Sequence, residues 1–232
     1  MDYAVDKQAI VDAKGNGQVA QWRLTPTFPG YSPQYTSRYD PAEGKRLLAE
    51  AGYPNGVDSN GQRLRIPILF PTNPGIKQIG ELLKSFWERN LGIEVELQNQ
   101  EGKVYEQALG KGQFDGMIFV NFSADYMDPD TYLELFTSGS PINGGWKNSK
   151  FDELVSQANG ELDPAKHLSL LAEAEDYLMS NQVFVPIYIG VWSFVKQPYV
   201  MGVENNLFDK HPLKFTWIDP QWRNHSPTTG RS

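Results

Sequence analysis

Residues 114–136 read FDGMIFVNFSADYMDPDTYLELF. The apolar run Met117–Val120 predicts a buried strand. It breaks into a loop that carries Asp125, Asp128 and Asp130 among the rings of Phe122, Tyr126 and Tyr132. The loop ends in a helix-start pattern, with Asp128 as N-cap, Pro129 at the first helical position and Asp130 in the first turn. Tyr132, Leu133 and Phe136 then fall on the buried face of that helix. A strand, a polar loop and a helix in succession place functional groups at a sheet edge, where α/β proteins bind ligands.

Working outward, the neighbouring segments alternate in the same way. Leu64–Phe70 reads as a strand, with Pro67 pointing to an edge or a bulge. Pro74–Leu91 is the longest helical pattern, with Ile76, Ile79, Leu83, Phe86 and Asn90 on one side and Gly92 as its stop. Ile93–Gln98 alternates apolar and polar residues as a half-buried strand does, and Val104–Leu109 reads as a short helix. Further upstream, Asp6–Ala13 is a short amphipathic helix, followed by a Pro- and aromatic-rich connector over 18–38. Asp40, Pro41 and Glu43 open a helix whose narrow face is Gly44, Leu47, Leu48 and Ala51. Downstream, Asn148 or Ser149 and then Asp163-Pro164 start two more helices. Val183–Ile189 and Val191–Val195 read as strands of a hairpin divided by Gly190. Past Lys196 the pattern is irregular, with a last apolar patch at Phe215–Ile218. Strands alternating with helices predict an α/β fold, a mixed sheet flanked by helices. Residues 1–219 are expected to form one lobe, with 1–38 as its opening helix and connector and 220–232 as a disordered polar tail.

Composition narrows the function. The 232 residues carry a net charge of −7 and no basic tract, which argues against nucleic acid as a partner. Cysteine is absent, so disulfides and thiol chemistry are excluded. The longest apolar run, Val183–Trp192, is far short of the roughly 20 residues of a membrane helix. No GxSxG, HExxH or P-loop pattern occurs, and Gly15-Asn16-Gly17 lacks the third glycine of a dinucleotide site. His167, His211 and His225 are too scattered for a local ligand motif, so neither a metal nor a cofactor is expected. Paired carboxylates can hydrolyse glycosides, but three Asp residues on one loop do not sit on opposite sides of a substrate. No catalytic residue is expected.

Several separated blocks resemble one family. YDPAEGKRLLAEAGYPNG (39–56), LGIEVELQ, GQFDGMIFVNFSADYMDPDTYLELF, WKNSKFDELVSQA and AEDYLMSNQVFVPIY follow the order and spacing of extracellular solute-binding proteins of the peptide/nickel class, which feed ABC importers. The opening YAVDKQAIVD is also similar to a family segment, one that lies well inside the family chain. The resemblance implies a periplasmic-binding-protein-like lobe, the C-terminal one of two that close over ligand. The N-terminal lobe and the permease subunits would then be partners, in a periplasmic or extracellular protein whose parent can be a cell-surface lipoprotein. In the oligopeptide branch the Asp of an Ala-Asp-Tyr triplet pairs with the ligand's α-ammonium group; here that triplet is Ala124-Asp125-Tyr126. Gly102 and Asn121-Phe122 depart from the family pattern, and this bears on the oligopeptide branch more than on the family.

The expected ligand is therefore a peptide or peptide-like solute, with Phe122, Ser123, Ala124, Asp125, Tyr126 and Trp146 as its contacts. Three alternatives stand beside this reading. Asp125 can be a loop Asp bonded to its own backbone. The aromatic rings can be core. A lone lobe can lack ligand affinity and act as an interaction module, or take a nickel chelate or another solute.

Overall fold

Strand β2 (Arg65–Pro71) lies between β3 (Glu94–Gln100) and β4 (Met117–Ile118), and both neighbours run parallel to it. Parallel neighbours need crossovers, and α3 (Pro74–Leu91) and α4 (Gly102–Lys111) supply them. The chain leaves β2 for β3 on one side and returns past β2 to β4 on the other, so right-handed crossovers put the two helices on opposite faces. Adjacent β2 residues divide accordingly: Ile68 packs with Ile79, Leu83 and Trp87 of α3, and Leu69 with Tyr105 and Ala108 of α4.

Local signals set these boundaries. The Asn73 side chain accepts from the Gly75 and Ile76 N–H groups at the start of α3. Gly92 closes the helix at φ +73°, where a Cβ would stand 2.6 Å from the Asn55 carbonyl oxygen. Between these caps α3 buries Ile76, Ile79, Leu83, Phe86, Trp87 and Leu91. At about 1.5–3 kcal/mol per fully buried large side chain, this face outweighs helix propensity. The amino-terminal segment is tied to the same helix: Trp87 Nε1–H donates to the Met1 carbonyl at 2.9 Å and Asn90 to that of Ala4 at 2.8 Å. Asp6 caps α1 (Lys7–Lys14), and Asp40 caps α2 (Pro41–Glu50) through the Glu43 N–H.

A second core forms where α5 (Asp130–Leu133), α6 (Ser149–Gly160) and α7 (Pro164–Ser180) meet the connector residues Leu24, Phe28 and Tyr31. Tyr188–Ile189 (β5) returns to pair antiparallel with Val19–Ala20 (β1). These elements come from a computed structural model that describes residues 1–15, 17–191, 195–203 and 212–224. The chain divides into two compact units, Met1–Gly190 and Val191–Ser232. Within the second unit, β6 (Val200–Met201) pairs antiparallel with β7 (Trp217–Ile218), and the Tyr199 and Trp222 rings meet at a tilt, 5.4 Å apart.

The α/β class, with parallel and antiparallel pairing and flanking helices, agrees with the sequence expectation. Details differ. Pro67 does not mark an edge strand; β2 is central. Backbone groups of a strand alternate sides, and Leu69 turns its carbonyl toward β4, where it accepts from Phe119 N–H at 2.9 Å. Pro67 faces the same side but lies just ahead of the β4 pairing, which begins opposite Ile68. Its missing N–H therefore costs no ladder bond, and Gly116 (φ +69°) passes so close that a Cβ would fall 2.4 Å from the Pro67 carbonyl oxygen. The expected buried strand Met117–Val120 shrinks to two half-buried residues at a sheet edge, and Val120 is exposed. On α2, Leu47 is likewise exposed, while Gly44 brings the helix close to Leu91 and Ala4 and Leu48 packs against the same core. The Val183–Ile189 strand is confined to Tyr188–Ile189, whose partner is β1 rather than a hairpin neighbour. The rest of that expected hairpin, residues 192–194, lies outside the described residues, as do His211, His225 and residues 225–232.

Candidate functional site

The loop that leaves β4 is fastened at both ends. At its start the Phe119 carbonyl accepts the Tyr105 hydroxyl at 2.5 Å. At its far end Asp128 Oδ1 accepts the Asp130 N–H at 2.9 Å, a side-chain turn that starts α5. In the middle, the buried Thr131 hydroxyl accepts the Asp125 N–H at 3.1 Å. Asp128 is thus a local capping residue, though α5 itself begins at Asp130 with Pro129 at its N-cap position.

The three loop carboxylates have different fates. Asp130 is buried and takes the Tyr126 hydroxyl at 3.1 Å. Burial holds its carboxyl above the usual range against that hydrogen bond. Burial, with the charge of Asp130 behind it, pushes the Tyr126 phenol up as well. Asp128 uses its second oxygen on His167 Nε2, 3.0 Å away. Asp125 lies exposed, and among the described residues its carboxylate has no hydrogen bond or ion pair. Glu134, exposed one turn into the helix, has its carboxyl raised first by desolvation and then by the charges of Asp130 and Asp125. The loop therefore spends two carboxylates on its own shape and leaves one facing outward.

The aromatic candidates separate in the same way. Phe122 meets Tyr132 edge to face at 5.4 Å, and Tyr132 meets Phe28 at 6.3 Å, so the loop is continuous with the second core. Tyr126 is 41% exposed, Met127 59% and Val120 38%, so the loop carries exposed apolar surface on both sides of Asp125 in sequence. Ser123 is exposed and Ala124 half-buried. Trp146 is half-buried and tilts against Phe151 at 5.2 Å in the α6–α7 core. The structure thus brings Phe122, Ser123, Ala124, Asp125 and Tyr126 together on the loop and gives Trp146 a packing contact elsewhere.

A separate cleft of about 250 Å³ opens along the connector between Gln21, Trp22, Arg23, Pro26, Thr36 and Ile189. It shares no lining residue with the Asp125 loop. It is smaller than the roughly 300–1,000 Å³ of ordinary ligand pockets. Among the described residues no group of three or more His, Asp or Glu could hold a metal ion, and no helix is long and apolar enough to cross a membrane. His167 is the participant that sequence spacing missed: it stands 39 positions from Asp128, and only the packing of α7 on α5 joins them.

A parallel sheet with an outward carboxylate on the loop beyond a strand's carboxyl end has the form in which the α/β class of binding proteins places its ligands. The comparisons give this class a family. The profile of "Bacterial extracellular solute-binding proteins, family 5 Middle" matches residues 1–144, and the chain belongs to this family. Heme-binding protein A of Haemophilus influenzae is 30% identical over 215 residues, 90% of this chain and 39% of its own length. Dipeptide-binding protein DppE of Bacillus subtilis is 31% identical over 231 residues, 94% of this chain and 40% of its own. The crystal structure of Haemophilus influenzae OppA in complex with RPPGFSPFR superposes with a TM-score of 0.81 at 26% identity, over 94% of this chain and 44% of that one. The chain spans about two fifths of the length of the curated relatives it matches.

Proposed function

We propose that residues 1–219 are the C-terminal lobe of a peptide-binding protein that delivers its ligand to an ABC importer. The observation that carries this is Asp125, an unengaged carboxylate on a loop whose other two Asp residues are already satisfied. Asp125 pairs with the ligand's terminal ammonium, with Phe122, Ser123, Ala124 and Tyr126 around it and Trp146 bracing the far wall from the core. Partial desolvation on closure strengthens such a pair well beyond its value in bulk water. A second lobe, absent from this chain, supplies the opposing wall, and permease subunits receive the ligand. The protein does no covalent chemistry. Its parent works outside the cytoplasmic membrane, and a cell-surface lipoprotein is one form that fits.

Isothermal titration of the purified chain with a mixed short-peptide library, after removal of co-purified ligand, tests this. Expected is a binding heat that Asp125→Ala weakens about tenfold or more, the value of a charge-assisted hydrogen bond. Equal affinity in the variant sinks the Asp125 assignment. The exposed Val120, Tyr126 and Met127 favour a second reading, in which this face docks a protein surface and the lone lobe holds no solute. Absence of any heat in the wild-type chain supports that reading.

A further inference from the structure

His167 sits in the first turns of α7 with four-fifths of its side chain buried. Its two ring nitrogens both meet acceptors: Nε2 lies 3.0 Å from Asp128 Oδ2, and Nδ1 lies 2.8 Å from the Ala158 carbonyl oxygen at the end of α6. A neutral imidazole carries one N–H, so in that form one of these contacts sets lone pair against lone pair. The imidazolium donates to both. The chain's other polar contacts are consistent with a cation here. Asp128 and Asp130 face the ring from the loop and from α5. On the α6 side the neighbour is the Ala158 carbonyl, and Glu161 beyond it is engaged with the Asp163 N–H. On α7 itself Asp163 is occupied as the helix cap through the Lys166 N–H.

Asp128 is the residue that shapes the site. Its other oxygen holds the Asp130 N–H, and its backbone carbonyl holds the Thr131 N–H at 3.3 Å. Thr131 in turn holds the Asp125 N–H. A path of hydrogen bonds thus runs from α6 through His167, Asp128 and Thr131 to Asp125. We propose that doubly protonated His167 is the positioning residue of the ligand loop: it clamps Asp128 to the α6–α7 pair and so fixes the turn that presents Asp125 and Tyr126. The clamp holds at low pH and slackens when the ring loses a proton. The consequence for ligand capture rests on the peptide-binding reading above; the consequence for loop geometry does not.

The test follows the loop directly. In the isotope-labelled chain, nuclear magnetic resonance reads the His167 ring and the Asp125, Asp130 and Thr131 amides across pH, with His167→Gln identifying the ring signal among the three histidines. Expected are a ring titration above the ordinary 6.5, amides that move in step with it, and Asp130 amide exchange that runs about tenfold faster, relative to intrinsic rates, once the proton is lost. In His167→Gln the amide step disappears. In His167→Arg, a permanent cation that can donate to both acceptors, the amides stay at their low-pH positions throughout. A ring that titrates at or below 6.5, or loop amides indifferent to it, overturns the proposal. Trialanine titrated into the same samples separates the two readings. Trialanine affinity that falls along the same pH curve extends the positioning role to the ligand. Coupled amides without any trialanine binding support the clamp and count against the peptide reading instead.

Discussion

Glu175 on α7 and Asp125 on the β4–α5 loop are both carboxylates within the same compact unit, and their surroundings are opposite. Glu175 is fully buried and receives three donors: the Thr25 N–H at 3.0 Å, the Thr25 hydroxyl at 2.6 Å and the Tyr31 hydroxyl at 2.5 Å. Its neighbour Asp176 takes the Gln34 and Tyr35 N–H groups at 3.0 and 2.7 Å. Together they staple a proline-rich connector, which has few ladder bonds of its own, to the second core. Among the described residues Asp125 has only its backbone N–H engaged, and its carboxylate is exposed. The difference separates structural charge from available charge. A buried carboxylate with complete hydrogen bonding has no capacity left for a ligand, whereas a loop that satisfies its backbone and leaves a carboxylate free is arranged for a partner.

The largest expected effect breaks the staple. Glu175→Leu leaves both Thr25 donors buried without acceptors, at about 1–3 kcal/mol each before relaxation, and leaves the Tyr31 hydroxyl with the longer contact to the Leu171 carbonyl at 3.3 Å. A loss of about 3–5 kcal/mol and a fall in Tm of roughly 10 °C or more follow for a chain of this size. Denaturant and thermal unfolding measure both. A loss under about 1 kcal/mol would mean that the connector is held by Phe28 and Leu24 packing rather than by the carboxylate. Glu175→Gln should fall between, because an amide accepts through one oxygen only and turns its NH₂ toward a donor.

The same contrast explains what was legible in the sequence. The loop, its strand and the caps of α2, α3 and α7 are short-range patterns, so Asp40-Pro41, Gly92 and Asp163-Pro164 marked their boundaries well. The staple joins residues 150 and 144 positions apart, and the connector carries no period that would announce it. Glu175 on its own reads as one more polar residue of an amphipathic helix. The His167–Asp128 contact was hidden for the same reason, since scattered histidines argue against a metal motif but say nothing about a single helix-to-loop bond. The apolar run after Gly116 was misleading in a different way. Its length predicts a buried strand, but only Met117 and Ile118 pair with β2, opposite Ile68 and Leu69, and Val120 is already exposed.

A smaller effect comes from pH. The Ala158 carbonyl, and then Asp128, raise the native His167 pKa above the ordinary 6.5. A group whose native pKa is raised adds stability that is complete below its unfolded value and is lost as pH climbs through the native one. The stability difference between wild type and His167→Gln should therefore be widest below pH 6.5 and shrink as the pH rises past the native pKa. Urea unfolding of both proteins in buffers on either side of that window reads it. A difference that does not change with pH would indicate that His167 contributes packing alone. Burial of Asp130 works in the same direction at lower pH, because its raised carboxyl pKa also favours the protonated native state, so acid should not loosen the loop first.

The smallest effect is the most discriminating for the candidate site. Asp125→Ala removes a side chain with no protein partner among the described residues, while its N–H remains on Thr131. Relief of the nearby Glu134, whose carboxyl Asp125 helps to raise, favours the variant slightly. The unfolding free energy should therefore stay within about 0.5 kcal/mol of wild type, as for surface positions away from special features. A loss of more than about 1 kcal/mol would place Asp125 with Glu175 as a structural carboxylate, and the weaker peptide binding expected of the variant could then be ascribed to a damaged loop. If stability holds while affinity falls, the lost energy belongs to a contact made only with the ligand.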